Sequence, residues 1–201
     1  MFAISKAVVY PGYGVAIIAR EIEKTIGVQL IKLYELKFLH RDVTILVPVD
    51  GVATVGIRDV SSPEAVKIIF EVFSSRIDHE HLSEAMSNSW NRRSKEYQNR
   101  IRTGSLKELA FIYREIKAIE RQKALSFGEK SVLAQVECLM AEECALVEDR
   151  PIEEVLVELR SCCEACLSGL SHTVSSFLSQ PVHTFGPLSA EDKRNSTLKE
   201  R

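Results

Sequence analysis

The sequence predicts an α+β protein: a small, strongly bent β-sheet or barrel over residues 1–60, followed by an all-helical domain over residues 61–170. Three observations carry this. The first sixty residues hold short runs rich in Val, Ile, Leu, Tyr and Thr, separated by turn signals. After residue 61, serines stand at three helix starts, two of them followed three residues on by a glutamate. The change from one pattern to the other is abrupt, and no internal repeat blurs it.

The predicted strands are Lys6–Tyr10, Val15–Glu23, Val28–Phe38, Val43–Val47 and Val55–Ile57. Between them lie Pro11-Gly12-Tyr13-Gly14, Thr25-Ile26-Gly27, His40-Arg41-Asp42 and Pro48-Val49-Asp50-Gly51. Glycine supplies the positive φ angles that tight turns require. So many strands in so short a stretch favour a bent sheet or barrel, because a flat one leaves too much apolar surface wet.

In the second half, Ser62 is a good N-cap with Pro63 at the first helical position, and Val66, Ile69, Phe70 and Phe73 line one face. A second helix is predicted from about His81 to Arg102, ending at Thr103-Gly104. Ser105 with Glu108, and Ser126 with Glu129, read as capping boxes opening the third and fourth helices. A fifth runs from Pro151 to about Leu170. Residues 171–201 are a polar extension, expected to be flexible from about residue 180, with a short helix at 172–179 carrying Val174, Phe177 and Leu178.

Composition narrows the function classes. The 201 residues are 45% hydrophobic and 27% charged, with a formal net charge of −2, so the chain is no uniformly basic nucleic-acid coat. No apolar run approaches the roughly 20 residues that span a bilayer, and the N-terminus has no signal-peptide pattern. A cytoplasmic protein without membrane contact is expected. Five cysteines, an odd number, fit reduced thiols better than a disulfide framework.

No residue set supports an enzyme, and no cofactor is expected: Gly12 and Gly14 flank a tyrosine with no phosphate-loop pattern after them, and neither a nucleophile elbow nor HExxH occurs. Asp78, His79, Glu80 and His81 read as a polar helix entry rather than a metal site. Cys163 and Cys166 have a zinc-like spacing, with Cys162 adjacent, but a structural zinc usually takes four ligands. Cys138 and Cys144 do not form a standard second pair, so core packing is the expected role. No metal is expected.

Charge distribution is more informative. Between Trp90 and Lys123, ten basic residues (among them Arg92, Arg93, Lys95, Arg100 and Arg102) oppose four acids, a local excess of six. Between Leu133 and Arg160 the balance reverses, with eight acids against Arg150 and Arg160. Such a basic run either binds phosphates or is a solvated helix face. Trp90, the only tryptophan, heads the run. At helical spacing it meets Met86, Tyr97 and Ile101, so it is either a core residue or an aromatic wedge for a base step.

Taken in order, Val8-Val9-Tyr10-Pro11-Gly12-Tyr13-Gly14, Val47-Pro48 and Val55-Gly56-Ile57-Arg58-Asp59-Val60 resemble the RNA polymerase interaction domain of the CarD/CdnL family, a domain type shared with the transcription-repair coupling factor. Trp90-Asn91-Arg92-Arg93-Ser94-Lys95, Thr103-Gly104-Ser105 and Leu125-Ser126-Phe127-Gly128-Glu129-Lys130 resemble the family's helical half. The resemblance covers about residues 1–148. It implies a Tudor-like barrel that binds the polymerase β subunit partly by strand addition. The matching contacts are Lys24, in the loop before the third strand, and Thr44 and Leu46 on the fourth. Alternation turns Ile45 and Val47 inward and Thr44 and Leu46 outward. Leu46 stands where a basic residue is common in the family.

The same resemblance implies that Trp90 wedges the minor groove at the upstream edge of the transcription bubble. Arg92, Arg93 and Lys95 would hold phosphates, with Lys130 at a helix N-terminus as a further candidate. Ser94 replaces a frequent aromatic. Such contacts position without reading bases, so promoter DNA would be bound largely independently of sequence. A monomeric, nucleoid-associated transcription regulator is the expectation. A protein-only polymerase adaptor, or a cysteine-based metal or redox regulator, is the alternative.

Overall fold

The computed structural model describes residues 2–26, 28–75 and 79–169. Its first part is an open, barrel-like antiparallel sheet in the order β4-β3-β2-β1-β5. The strands are β1 (Ala7–Tyr10), β2 (Gly14–Ile26), β3 (Gln29–Phe38), β4 (Thr44–Pro48) and β5 (Arg58–Asp59). β2 and β3 form a long hairpin whose register shifts between Ile18 and Arg20, and the outer part of the hairpin runs past the end of β4 at Pro48. Val8, Ala16, Ile18, Tyr34, Leu36 and Val47 fill the concave side.

The predicted fifth strand is displaced. Pro48-Val49-Asp50-Gly51 does not turn a hairpin. It leads into a 3₁₀ turn (Val49–Gly51) and a one-turn helix α1 (Val52–Val55), and the strand follows at Arg58. Gly56 explains the difference: at φ +80 it is the left-handed cap of α1, its N–H donating to the Val52 and Ala53 carbonyls. Val52 and Val55 then pack on the barrel core as helix residues, which their β-propensity concealed.

The helices are α2 (Pro63–Val66), α3 (Ile68–Ser74), α4 (His79–Ser87), α5 (Trp90–Ile101), α6 (Leu106–Glu120), α7 (Phe127–Glu148) and α8 (Ile152–Leu167). Ser62 caps α2 through the Ala65 N–H. The helix predicted over 81–102 is two helices, broken at Asn88-Ser89, where Ser89 is extended (ψ 147). Ser87, Asn88 and Ser89 all favour caps and turns over helix interiors. Only one capping box is complete: Ser126 and Glu129 bond reciprocally, whereas Glu108 accepts from Arg100 instead of the Ser105 backbone.

A separate apolar cluster, built on Ile69, Ile112, Ile116, Val136, Met140 and Leu159, holds these helices together. Cys162 and Cys163 lie inside it, and burial pushes both thiols up to about 12, far from the thiolate that metal binding or redox exchange uses. Among the described residues no cluster of His, Cys, Asp or Glu is arranged to hold a metal, and no helix is long and apolar enough to cross a membrane. Asp78, the side chains of His79, Glu80 and His81, and the extension 171–201 with its predicted short helix lie outside the described residues.

Gly14 is held at φ +106, and a Cβ there would sit 1.9 Å from a Glu142 carboxylate oxygen. Gly14→Ala is therefore expected to lose about 3 kcal/mol or more in urea unfolding, from backbone strain plus a displaced buried carboxylate. Gly56→Ala shares the positive φ but meets only an ordinary contact with Pro11, and should lose about 1 kcal/mol.

Candidate functional site

The sequence-predicted residues fall into two groups, one on the sheet and one where α5 meets α7. On the sheet, β4 pairs only with β3, so its other edge is free among the described strands. The register places Leu46 opposite Glu35 and Thr44 opposite Lys37, pointing away from the core, while Val47 is buried and Ile45 packs inward. Lys24 is not in a loop: it lies within β2, opposite Ile31. Counting along the register, Lys24, Ile22, Ile31 and Leu33 share the outward face with Leu46. Lys24 and Leu46 thus flank one apolar strip, while Thr44 lies beyond Glu35, opposite Lys37.

Arg20 was not foreseen. It lies on the same outward face, two strands from Leu46, with its side chain 66% exposed and its guanidinium on Glu35 (Nη2–Oε2 2.8 Å). A positive charge is therefore present on this face although position 46 is apolar.

At the second group the break before α5 makes Trp90 the first residue of a helix rather than one within it. Its indole is half-buried. It lies against the first turn of α7, where a Cβ on Gly128 would come within 2.7 Å of the ring. Tyr97 approaches from one turn on, with ring centroids 6.4 Å apart, and the Arg93 guanidinium lies 5.6 Å from the ring centre. Trp90 is thus fixed by packing while part of it stays open to solvent.

Arg93 corrects the sequence reading. It is only 4% exposed and its Nη2 donates to Glu129 at 2.6 Å, so it is an interior residue rather than a surface phosphate ligand. Its Nε and Nη1 have no hydrogen-bond partner among the described residues, so Glu129, the Tyr97 hydroxyl and the indole face compensate its burial. Glu129 itself accepts from the Ser126 N–H and hydroxyl while capping α7. Burial pushes its carboxyl up, but the Ser126 N–H and the Arg93 guanidinium outweigh that and hold it down at about 2.

The basic run is not one patch. Arg100 pairs with Glu108, Lys117 with Glu120 and Glu164, and Arg121 with Glu164. Arg114 is buried and donates to the Val72 and Ser75 carbonyls at the end of α3. Around Trp90, by contrast, Arg92, Lys95 and Lys130 are exposed and make no ion pair among the described residues. Phe127, the first residue of α7, is 89% exposed. It shares a helix face with Lys130 three residues on and adjoins the Gly128 that supports the indole. The sequence carried a signal for it: a large apolar residue just inside a capping box sits on the first turn, where nothing covers it. These two helix starts therefore carry a half-buried and an exposed aromatic group, with exposed cations on the outer faces of the same helices, a surface suited to a polyanion.

Comparison with known proteins matches both halves of the chain. Residues 2–61 match the CarD-like/TRCF RID domain model, and residues 72–160 match the CarD C-terminal domain model. The candidate transcription factor YdeB of Bacillus subtilis (strain 168) is 28% identical over 133 residues, covering 66% of this chain and 83% of that protein.

Two expectations follow. Glu129→Ala leaves Arg93 buried and unpaired and should reduce stability at pH 7 by about 3 kcal/mol in urea unfolding. The folded state holds this carboxyl below its ordinary 4.5, so its contribution is complete above about pH 4.5 and is lost as pH falls towards 2; the wild-type and variant stabilities should converge over that window. Gly128→Ala should lift the indole from α7, read as a red shift in the emission of the sole tryptophan without loss of helix signal.

Proposed function

The chain belongs to the CarD-like family of transcription regulators, with an RNA polymerase interaction domain at its N-terminus, and we propose that it couples polymerase to the upstream edge of melted promoter DNA. In this reading the free edge of β4 accepts a strand of the polymerase β subunit. Main-chain bonds along Thr44–Pro48 supply the attachment, and Leu46, Ile22, Ile31, Arg20 and Lys24, seated over the buried Leu33, supply side-chain contacts. Trp90 wedges the minor groove at the double-strand to single-strand junction. Arg92, Lys95 and Lys130 hold the adjoining phosphates, and Phe127 lies against the same duplex. Arg93 and Glu129 keep the indole in place rather than touching DNA.

The observation that carries this reading is the state of Trp90: pinned on Gly128 yet partly open, on a helix whose Arg92 and Lys95 are exposed and make no ion pair among the described residues. A purely structural tryptophan needs no such surroundings. A wedge does, because a rigid aromatic loses little freedom on binding.

The mechanism is thermodynamic. Attachment to polymerase makes the weak DNA contact intramolecular. If the junction is preferred over closed duplex, the closed–open equilibrium shifts towards open by no more than that difference in affinity. The contacts are to backbone and base faces, so the effect is largely independent of sequence, and a monomer suffices.

The test is the lifetime of open complexes formed by polymerase with and without the protein. Trp90→Ala should abolish most of the stabilisation while leaving polymerase pull-down unchanged. Thr44→Glu with Leu46→Glu should abolish the pull-down itself. Full activity of Trp90→Ala would instead favour an adaptor that contacts protein alone.

A further inference from the structure

Between the two apolar clusters lies a junction built largely from buried charge. The Pro11-Gly12-Tyr13-Gly14 turn docks on the helical half. Gly12 accepts from Gln135 Nε2 (3.3 Å), and the Val15 N–H donates to Glu142 (3.2 Å). Glu142, 1% exposed, also faces Arg41 at 3.4 Å. Next to it, Glu143 receives both arms of Arg58 (2.7 and 2.8 Å) and the Ser61 N–H (2.9 Å). Arg58 Nε and Nη2 donate in addition to the Gly104 carbonyl (3.0 and 2.5 Å). One guanidinium thus ties β5, α7 and the α5–α6 turn into a single node. Only the planar fork of arginine reaches all three at once; a lysine ammonium does not.

Its position gives the node leverage. Gly104 follows the C-terminus of α5 and Trp90 stands at its N-terminus, roughly 16 Å away at 1.5 Å per residue. A tilt of about 10° at such a node displaces the indole by about 3 Å, enough to miss a base step about 3.4 Å thick. We infer that Arg58, Glu143 and Glu142 are positioning residues that hold the barrel at one angle to Trp90, and that the regulator acts on the open complex only while this angle is fixed. The inference rests on the proposed roles of β4 and Trp90. It adds that two intact contact sites are insufficient without the junction between them.

The test compares Arg58→Lys and Glu143→Gln with wild type in the full chain. In wild type, NMR relaxation of the barrel and of the helices should report one common tumbling time, and in each variant two different ones. Polymerase pull-down and affinity for a fork-junction DNA should stay within about twofold of wild type, while the open-complex stabilisation falls about tenfold. Separate tumbling with full stabilisation overturns the inference, as does common tumbling in both variants. Glu143→Gln serves as the second probe should Arg58→Lys fail to fold. Trp90→Ala run alongside separates the two ideas: if it too leaves the lifetime unchanged, the wedge reading is what fails.

Discussion

A buried carboxylate must find a cation or hydrogen-bond donors, and α7 carries three of them. Glu129, Glu142 and Glu143 are each no more than 2% exposed, and each takes its arginine from a different region: Arg93 from α5, Arg41 from the loop before β4, Arg58 from β5. An unpaired buried charge is so unfavourable that these partners are in effect obligatory. α7 consequently dictates where the barrel turn lies, how β5 ends and how α5 begins. Apolar clusters stabilise the two halves but specify little about their mutual angle, since many packings bury similar area. The ion pairs, being directional, select one.

The same constraint shapes the corner at Trp90. The Ser126–Glu129 capping box starts α7, and its glutamate has a second task in pairing with Arg93. Gly128 within that turn leaves space for the indole. Helix start, salt bridge and aromatic seat are thus one arrangement of four consecutive residues, Ser126 to Glu129. The exposed cations Arg92, Lys95 and Lys130 on the same two helices make no ion pair among the described residues, whereas Arg100, Lys117, Arg121, Arg150 and Arg160 each have an acid beside them.

Much of the fold was legible because its signals are local. Alternation along β4 correctly separated Val47 from Leu46, and Ser62 and Ser126 marked true helix starts. The misread elements are those in which a local signal had a second meaning. Gly56 terminates a one-turn helix where Val55–Ile57 looked like strand, and Asn88-Ser89 breaks a helix that the apolar period carried straight through. At the site, Trp90, Arg92, Lys95 and Lys130 could be named from the sequence, but exposure could not. Arg93 and Arg92 are neighbours in sequence and opposite in environment: the helical period puts Arg93 on the stripe of Trp90, Tyr97 and Ile101, and Glu129, thirty-six residues on, supplies the partner that lets it be buried there. Glu142 and Glu143 looked like part of an acidic run, because pairing at such separations leaves no local trace.

The free edge of β4 has a consequence for the protein when no partner is bound. An unpaired strand will join any extended chain, including a second copy of itself. Here the strand is five residues long and ends in Pro48, which has no N–H to offer. The proline and the shortness together cap the ladder at a few hydrogen bonds. The same ceiling holds for any extended chain added at this edge: a strand so short releases readily, and a longer residence has to be sustained by side chains and by whatever the helical half holds at the same time.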